Sequence, residues 1–207
     1  MKKIIMVTVV AVLCLGTSEV NALTLNDGGI HTIDYQLDDY VWVEDSPGGY
    51  FTTLNLVDGG EIANWVEAIE HSHINITGGS IGFELFTSGD SQAIISGGLI
   101  ESDLNTFNNS EVFIFGGTID GVFNIQDNSQ VTISGTNFAI NGFPADYGTY
   151  TASDYISGLL TGILANGDPI NNDFGIANDA SVTLVPEPAT LLLLGAGSLW
   201  LRRRNRM

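Results

Sequence analysis

Two pairs of acidic residues stand nineteen residues apart, Glu84 with Asp103 and Glu101 with Asp120. If the chain coils with that period, each pair places two outward carboxylates on neighbouring strands, about 4.8 Å apart. Retaining glycosidases use two carboxyl groups about 5 Å apart, one as acid and base and the other as nucleophile. Any two stacked acids meet that distance, so spacing alone is thin ground for an enzyme, and no catalytic residue is assigned. His71 and His73 share a face if the backbone is extended there, with Glu70 beside them. Zinc wants three or four convergent ligands, so a solvated corner is expected and no metal ligand is assigned. The sequence DGG occurs at Asp27 and Asp58, but the GGxGxD calcium nonapeptide does not occur. No cofactor is expected, although scattered carboxylates leave weak calcium binding open.

The charge distribution narrows the partners. The formal net charge is −18. All six basic residues lie at the ends: Lys2 and Lys3, then Arg202, Arg203, Arg204 and Arg206. All 24 acidic residues lie between them, 22 of them from Leu23 to Pro186. Phosphate contacts need Lys or Arg to displace counterions, so nucleic acid is excluded as a partner. Anionic polysaccharides and membranes are repelled for the same reason. Neutral glycans, divalent cations and further copies of the chain remain. Lyase chemistry on acidic polysaccharides would call for Arg or Lys, which this body lacks. The only cysteine is Cys14, so the body forms no internal disulfide.

A Gly-Gly pair recurs on the same nineteen-residue beat, at Gly59-Gly60, Gly78-Gly79, Gly97-Gly98 and Gly116-Gly117, and Gly135 keeps it. A fixed period near twenty marks a solenoid, each repeat one coil stacked on the last. Two places before each first Gly stand Val57, Ile76, Ile95, Ile114 and Ile133; four before stand Asn55, Ile74, Ala93, Val112 and Val131. Three after stand Ile62, Ile81, Ile100, Ile119 and Phe138; seven after stand Val66, Leu85, Leu104 and Phe123. All but Asn55 are apolar, and their alternation with polar neighbours suits strands buried on one face. The Gly pairs mark corners needing positive φ. A second, polar corner runs through His71-Ser72, Asp90-Ser91, Asn109-Ser110 and Asn128-Ser129, where Asn and Asp tolerate left-handed backbone.

The expected fold is therefore all-β: a single-stranded parallel β-helix, right-handed, with three short strands and three bends per coil. Five coils make a core of roughly 24 Å. Residues 51–138 form the repeats. Residues 23–50 are expected to be a cap or irregular first coil: LTLNDGGIHTID resembles the LNLVDGGEIANWV of the first repeat, which matches the Gly28-Gly29 pair to Gly59-Gly60 across one coil plus an insertion that includes DDYVWVEDSPGG. Residues 139–184 are the other cover, with two strands around Asn166-Gly167-Asp168 and a last strand from Asp179 to Leu184. Outward Ile94 and Phe113 form an apolar spot that an end segment is expected to cross.

The two ends are addresses. Residues 1–22 place two lysines before an apolar run and end Val20-Asn21-Ala22, the pattern of a secretory signal peptide cut after Ala22. A membrane-anchoring helix is the alternative. At the other end Pro186-Glu187-Pro188 precedes the apolar stretch Ala189 to Leu201 and the cluster Arg202, Arg203, Arg204 and Arg206. The stretch is short against the roughly 20 residues of a comfortable span, and the arginines would hold this end in the cytoplasm. Residues 185–207 resemble the bacterial PEP-CTERM sorting signal, which has these three parts in this order; a plain tail anchor is the alternative. The resemblance implies export across the inner membrane, a membrane-anchored precursor with a terminal helix, and an exosortase-type membrane protease as processing partner. It also implies a Gram-negative host making extracellular polysaccharide, and a surface, outer-envelope or matrix destination. The body resembles repeat-bearing exported proteins with this signal, and no activity is implied for it. The expectation is a non-enzymatic acidic solenoid acting by self-association or by contact with extracellular polysaccharide. A β-helical glycoside hydrolase and a calcium-dependent adhesin are the alternatives.

Overall fold

The structure is a computed structural model and describes residues 22–154 and 157–187. Among these there is no helix, and every regular element is a strand. The chain winds into a parallel β-solenoid of about six turns with coils near nineteen residues.

The first turns comprise β1 (Leu23–Leu25), β2 (Ile30–Ile33), β3 (Gln36–Leu37) and β4 (Val41–Val43), then β5 (Thr53–Leu56), β6 (Glu61–Ile62) and β7 (Val66–Ala68). The next is β8 (His73–Ile76), β9 (Ser80–Ile81) and β10 (Leu85–Thr87). In the middle coils two strands merge through the Gly pair, giving β11 (Gln92–Ile100) with β12 (Leu104–Thr106), and β13 (Glu111–Ile119) with β14 (Phe123–Ile125). The far end holds β15 (Gln130–Ile140), β16 (Phe143–Pro144), β17 (Gly148–Thr151), β18 (Ser157–Leu164), β19 (Pro169–Ile176) and β20 (Ser181–Pro186).

Stacked coils make three parallel faces. The first runs β2, β5, β8, β11, β13, β15, β20. The second runs β3, β6, β9 and the later halves of β11 and β13. The third runs β1, β4, β7, β10, β12, β14, β19. The aliphatic columns lie inside: Ile76, Ile95, Ile114 and Ile133 are each at most 1% exposed. Burial of such columns, like on like, is what holds a solenoid together.

Three expectations need correction in the early coils. Leu54, not Asn55, stacks on Ile74, and Leu56 stacks on Ile76. The corner Val57-Asp58-Gly59-Gly60 holds one residue more than the next, so the strand before it sits twenty residues from its partner, and Asn55 faces outward. There it accepts a 2.9 Å hydrogen bond from the Asn75 amide. Second, Val41-Trp42-Val43 is no insertion. It is a regular strand between β1 and β7, and residues 23–43 contribute coil structure. The extra length is a loop at 44–52, turned by Ser46, whose Oγ accepts from Tyr50 N–H. Third, Gly28-Gly29 is not a copy of the Gly59-Gly60 corner, because β2 pairs with β5 at a spacing of 23 residues.

The polar corner is also shifted. The left-handed residues are Glu70, Gly89, Asn108 and Asp127, one place earlier than expected. The expected side chains still form a ladder, Asn109 donating to Asp90 and Asn128 to Asn109. Ser72, Ser91, Ser110 and Ser129 turn inward and are fully buried. Ser110 and Ser129 meet the hydroxyls of Thr87 and Thr106 from the preceding coil at 3.0 and 2.9 Å.

The far end closes as a hairpin of β18 and β19 around the expected Asn166-Gly167-Asp168 turn. β18 runs antiparallel to β15, β19 parallel to β14, and β20 parallel to β15. The turn docks on the last Gly pair: Gly117 N–H donates to Asp168 Oδ2 at 2.8 Å, and Asn166 N–H to the Phe115 carbonyl at 2.9 Å. β17 lines the open edge of β20, which keeps that edge from templating another chain. The end segment thus pairs with β15, β14 and β20. Ile94 and Phe113 remain side by side on the first face, half-buried.

Candidate binding face

The third face gathers the groups best suited to meet a ligand. From β4 to β14 its strands are short triplets whose outer residues point inward and whose middle residue points out. The middle residues stack as Trp42, Glu67, Phe86, Asn105 and Asn124. The residue before each triplet also faces outward by alternation, giving Tyr40, Trp65, Glu84, Asp103 and Val122, tied coil to coil by backbone hydrogen bonds. The result is two parallel columns, aromatic toward the first coils and polar toward the last.

In the aromatic half, the Tyr40 and Trp65 rings lie 3.9 Å apart at 32°. Trp42 is 39% exposed, and Phe83 at the neighbouring corner is 51% exposed. Burial among these neighbours, and then the charge of Glu44, hold the Glu67 carboxyl above its usual range. In the polar half, the Asn124 amide donates to Asn105 Oδ1 at 2.9 Å. The columns run into a groove of about 430 Å³, lined by Val122, Asn124, Asn141, Leu159 and Asp173 among others.

The carboxylate pairs singled out in the sequence are neighbours, as the period requires. Glu84 and Asp103 precede the paired Leu85 and Leu104. Partial burial, and then the charge of Asp103, raise the Glu84 carboxyl above its ordinary value. Asp103 is engaged structurally, its Oδ1 accepting from Val122 N–H at 2.7 Å. Glu101 and Asp120 follow the paired Ile100 and Ile119 and are exposed. Asp120 borders a second groove of about 340 Å³, beside Thr118, Asn171 and Asn172.

The histidines part company. His71 bridges coils, its Nδ1 lying 2.8 Å from Asp45 Oδ2 and its Nε2 3.5 Å from Asp90 Oδ2. His73 lies on β8, half-buried, with its ring 5.4 Å from that of Phe51. Among the described residues no three His, Cys, Asp or Glu side chains converge as a metal site.

Sequence reasoning missed the aromatic half. Trp42 and Tyr40 lie outside the nineteen-residue beat, in the segment taken for an insertion. The available signal was the shared apolar–outward–small or apolar pattern of Val41-Trp42-Val43, Val66-Glu67-Ala68 and Leu85-Phe86-Thr87.

The ends of the body meet the two addresses directly. Ala22 is exposed and precedes β1, whose Leu23 N–H donates to the Tyr40 carbonyl at 2.8 Å. Pro186 is the last residue of β20, opposite Gly135. A strand end tolerates proline because no further ladder donor is needed. Glu187 follows, half-buried. Pro188, the apolar stretch, Arg202, Arg203, Arg204, Arg206 and the terminal helices expected at both ends lie outside the described residues. Among the described residues no helix is long and apolar enough to cross a membrane.

Comparison with known proteins places these ends in context. No curated protein and no solved structure matches the chain. Residues 184–206 match the family model of the PEP-CTERM protein-sorting motif. The chain therefore carries a PEP-CTERM sorting motif behind a β-solenoid body, which implies an exported protein sorted by an exosortase.

Proposed function

We propose that this is a non-enzymatic structural or adhesive protein of the cell surface or extracellular matrix, delivered as a membrane-anchored precursor and released from its tail by an exosortase. The observation that carries the reading is the direct join between a rigid acidic solenoid and a sorting motif, with Pro186 shared by both. A body that presents long, regular faces suits contact better than turnover. It acts without a bound cofactor. Arg202, Arg203, Arg204 and Arg206 hold the precursor in the membrane until cleavage, and Ala22 is the last residue of the removed leader.

The test is fractionation of the tagged full chain in a Gram-negative host with and without its exosortase. With the enzyme, the chain is expected outside the inner membrane and shortened at its C-terminus. Without it, or with Pro188→Ala, full-length chain should accumulate in the inner membrane. Identical fractions and sizes in all three strains would overturn the reading.

One arrangement favours a second reading. Glu84, with its raised proton affinity beside Asp103, has the form of an acid paired with a carboxylate. A glycoside hydrolase built on that pair would release reducing ends from a polysaccharide, and Glu84→Ala would abolish the release. The Asp103–Val122 hydrogen bond weighs against it, since it ties one carboxylate oxygen to the backbone and draws electron density from the other.

A further inference from the structure

The third face combines three features no other described part of the molecule shows together. Large aromatic side chains stand outward at coil spacing, carboxylates and amides stand between and beyond them, and the columns end in an open groove. Flat rings such as Trp42 and Phe86 offer an apolar face with little conformational entropy to lose. That face matches the C–H face of a pyranose ring. Carboxylate and amide oxygens match the ring's hydroxyl edge, which always carries donors. Successive strands advance about 4.8 Å, a step comparable with the length of one pyranose unit in an extended chain.

Charge decides among possible occupants. No Lys or Arg lies between Leu23 and Trp200, so nothing on this face can pair with a uronate, sulfate or phosphate. Glu67, Glu84, Asp103 and Asp173 would repel one. A second copy of the chain would bring the same acids against them. A neutral polyhydroxyl chain meets neither obstacle, because its hydroxyls donate to the carboxylates and its C–H faces cover the rings.

We propose that the outward face of the third sheet is a binding track for a neutral polysaccharide, with Trp42 and Phe86 as stacking platforms, Glu67 accepting hydroxyl hydrogen bonds between them, and Asn124 leading the chain into the groove at Asn141 and Asp173. This deepens the surface-or-matrix reading above by naming the partner and its site. Stacking platforms separated by an acceptor set the register of the bound chain. The open groove leaves both of its ends free, so the track suits a long polymer rather than a terminal sugar.

The test uses the purified full chain in mild detergent, with tryptophan fluorescence as readout, since two of its three tryptophans, Trp42 and Trp65, lie on the track. The probes are cellohexaose, mannohexaose, laminarihexaose and maltohexaose, with hexameric alginate as the anionic counterpart. At least one neutral probe should shift the emission saturably, and alginate should not. In calorimetry, Trp42→Ala and Phe86→Ala should each weaken that binding at least tenfold. Ile30→Ala, 76% exposed on β2 of the first face, should leave it unchanged. Thermal melts confirm that each variant is folded; should one fail to fold, Asn124→Ala on the polar half reads the same loss. Three results overturn the proposal: no neutral probe binding at millimolar concentration, binding unaffected by the track variants, or alginate binding as well as the neutral probes. Sedimentation showing dimers that Trp42→Ala dissolves would assign the face to a second copy instead. All of this is read on purified protein, so it stands or falls separately from the fractionation result.

Discussion

Glu67 shows how one side chain can cost the fold something while serving a surface. It stands in register between Trp42 and Phe86, half-buried, with Glu44 nearby. Burial first and the Glu44 charge second favour its protonated form, so its folded proton affinity exceeds that of the unfolded chain. The sign follows from linkage. Protonated Glu67 carries no penalty below the usual carboxylate range, and the relative stability is lost as pH rises through the raised folded value. At neutral pH the ionised group is a net cost, held by solvent screening to below about 1 kcal/mol. Glu67→Gln should therefore melt slightly higher than the parent chain at pH 7, and the difference should vanish near pH 4. Paired thermal melts across that range check it; a difference independent of pH would mean the carboxyl is not the cause. Asp27 behaves oppositely, its proton affinity lowered by the hydrogen bond to His31 and then by Gly29 N–H, so its small contribution is lost on acidification below the usual range.

Corners, more than strands, decide where each coil begins. Gly79 has φ of +72°, and a Cβ there would strike the carbonyl oxygens of Gly60 and Val57 in the coil beneath. Neither oxygen can move without shifting a strand. Gly142 also has positive φ, +79°, in the two-residue turn between β15 and β16, but a Cβ there meets nothing within 4 Å. Gly142→Ala should cost only the left-handed backbone term, about 1 kcal/mol. Gly79→Ala should add a steric term and cost about 3 kcal/mol or more. Urea unfolding of the two variants measures the gap, and equal losses would show that the coils do not approach as closely as described. These corners also explain which parts of the fold were legible in the sequence. From Ile76 to Ile133 every coil keeps the same corner lengths, so a fixed period located the core columns, the Gly turns and the Glu84–Asp103 and Glu101–Asp120 pairs. Up to Gly60 the corners vary by several residues, with one residue added at 57–60 and the long loop at 44–52. Equal spacing there paired the wrong glycines and hid Trp42. The inward serines escaped notice for another reason: their partners Thr87 and Thr106 lie 23 residues away, across a coil boundary.

Taken whole, the molecule is a stack of like charges as well as of like side chains. Its formal charge is −18, and the described residues hold no Lys or Arg. Among these residues the nearest approaches to an ion pair are at histidines, as at His71, which lies between Asp45 and Asp90. Each winding that brings aliphatic residues into contact also brings acids such as Glu84 and Asp103 to within a strand spacing, and unfolding lets them separate. The folded state therefore carries the greater self-repulsion. Raising sodium chloride from about 10 mM to 150 mM shortens the screening length from roughly 30 Å to 8 Å, beyond which distant coils no longer repel. The melting temperature should rise over that interval, by several degrees for a domain of this size if 1–2 kcal/mol of repulsion is removed. Potassium and choline chloride should act alike, because screening depends on ionic strength and not on a bound ion. A melting temperature that is flat or falls with salt would mean that the acids are held apart, or paired, in ways the stacked coils do not show.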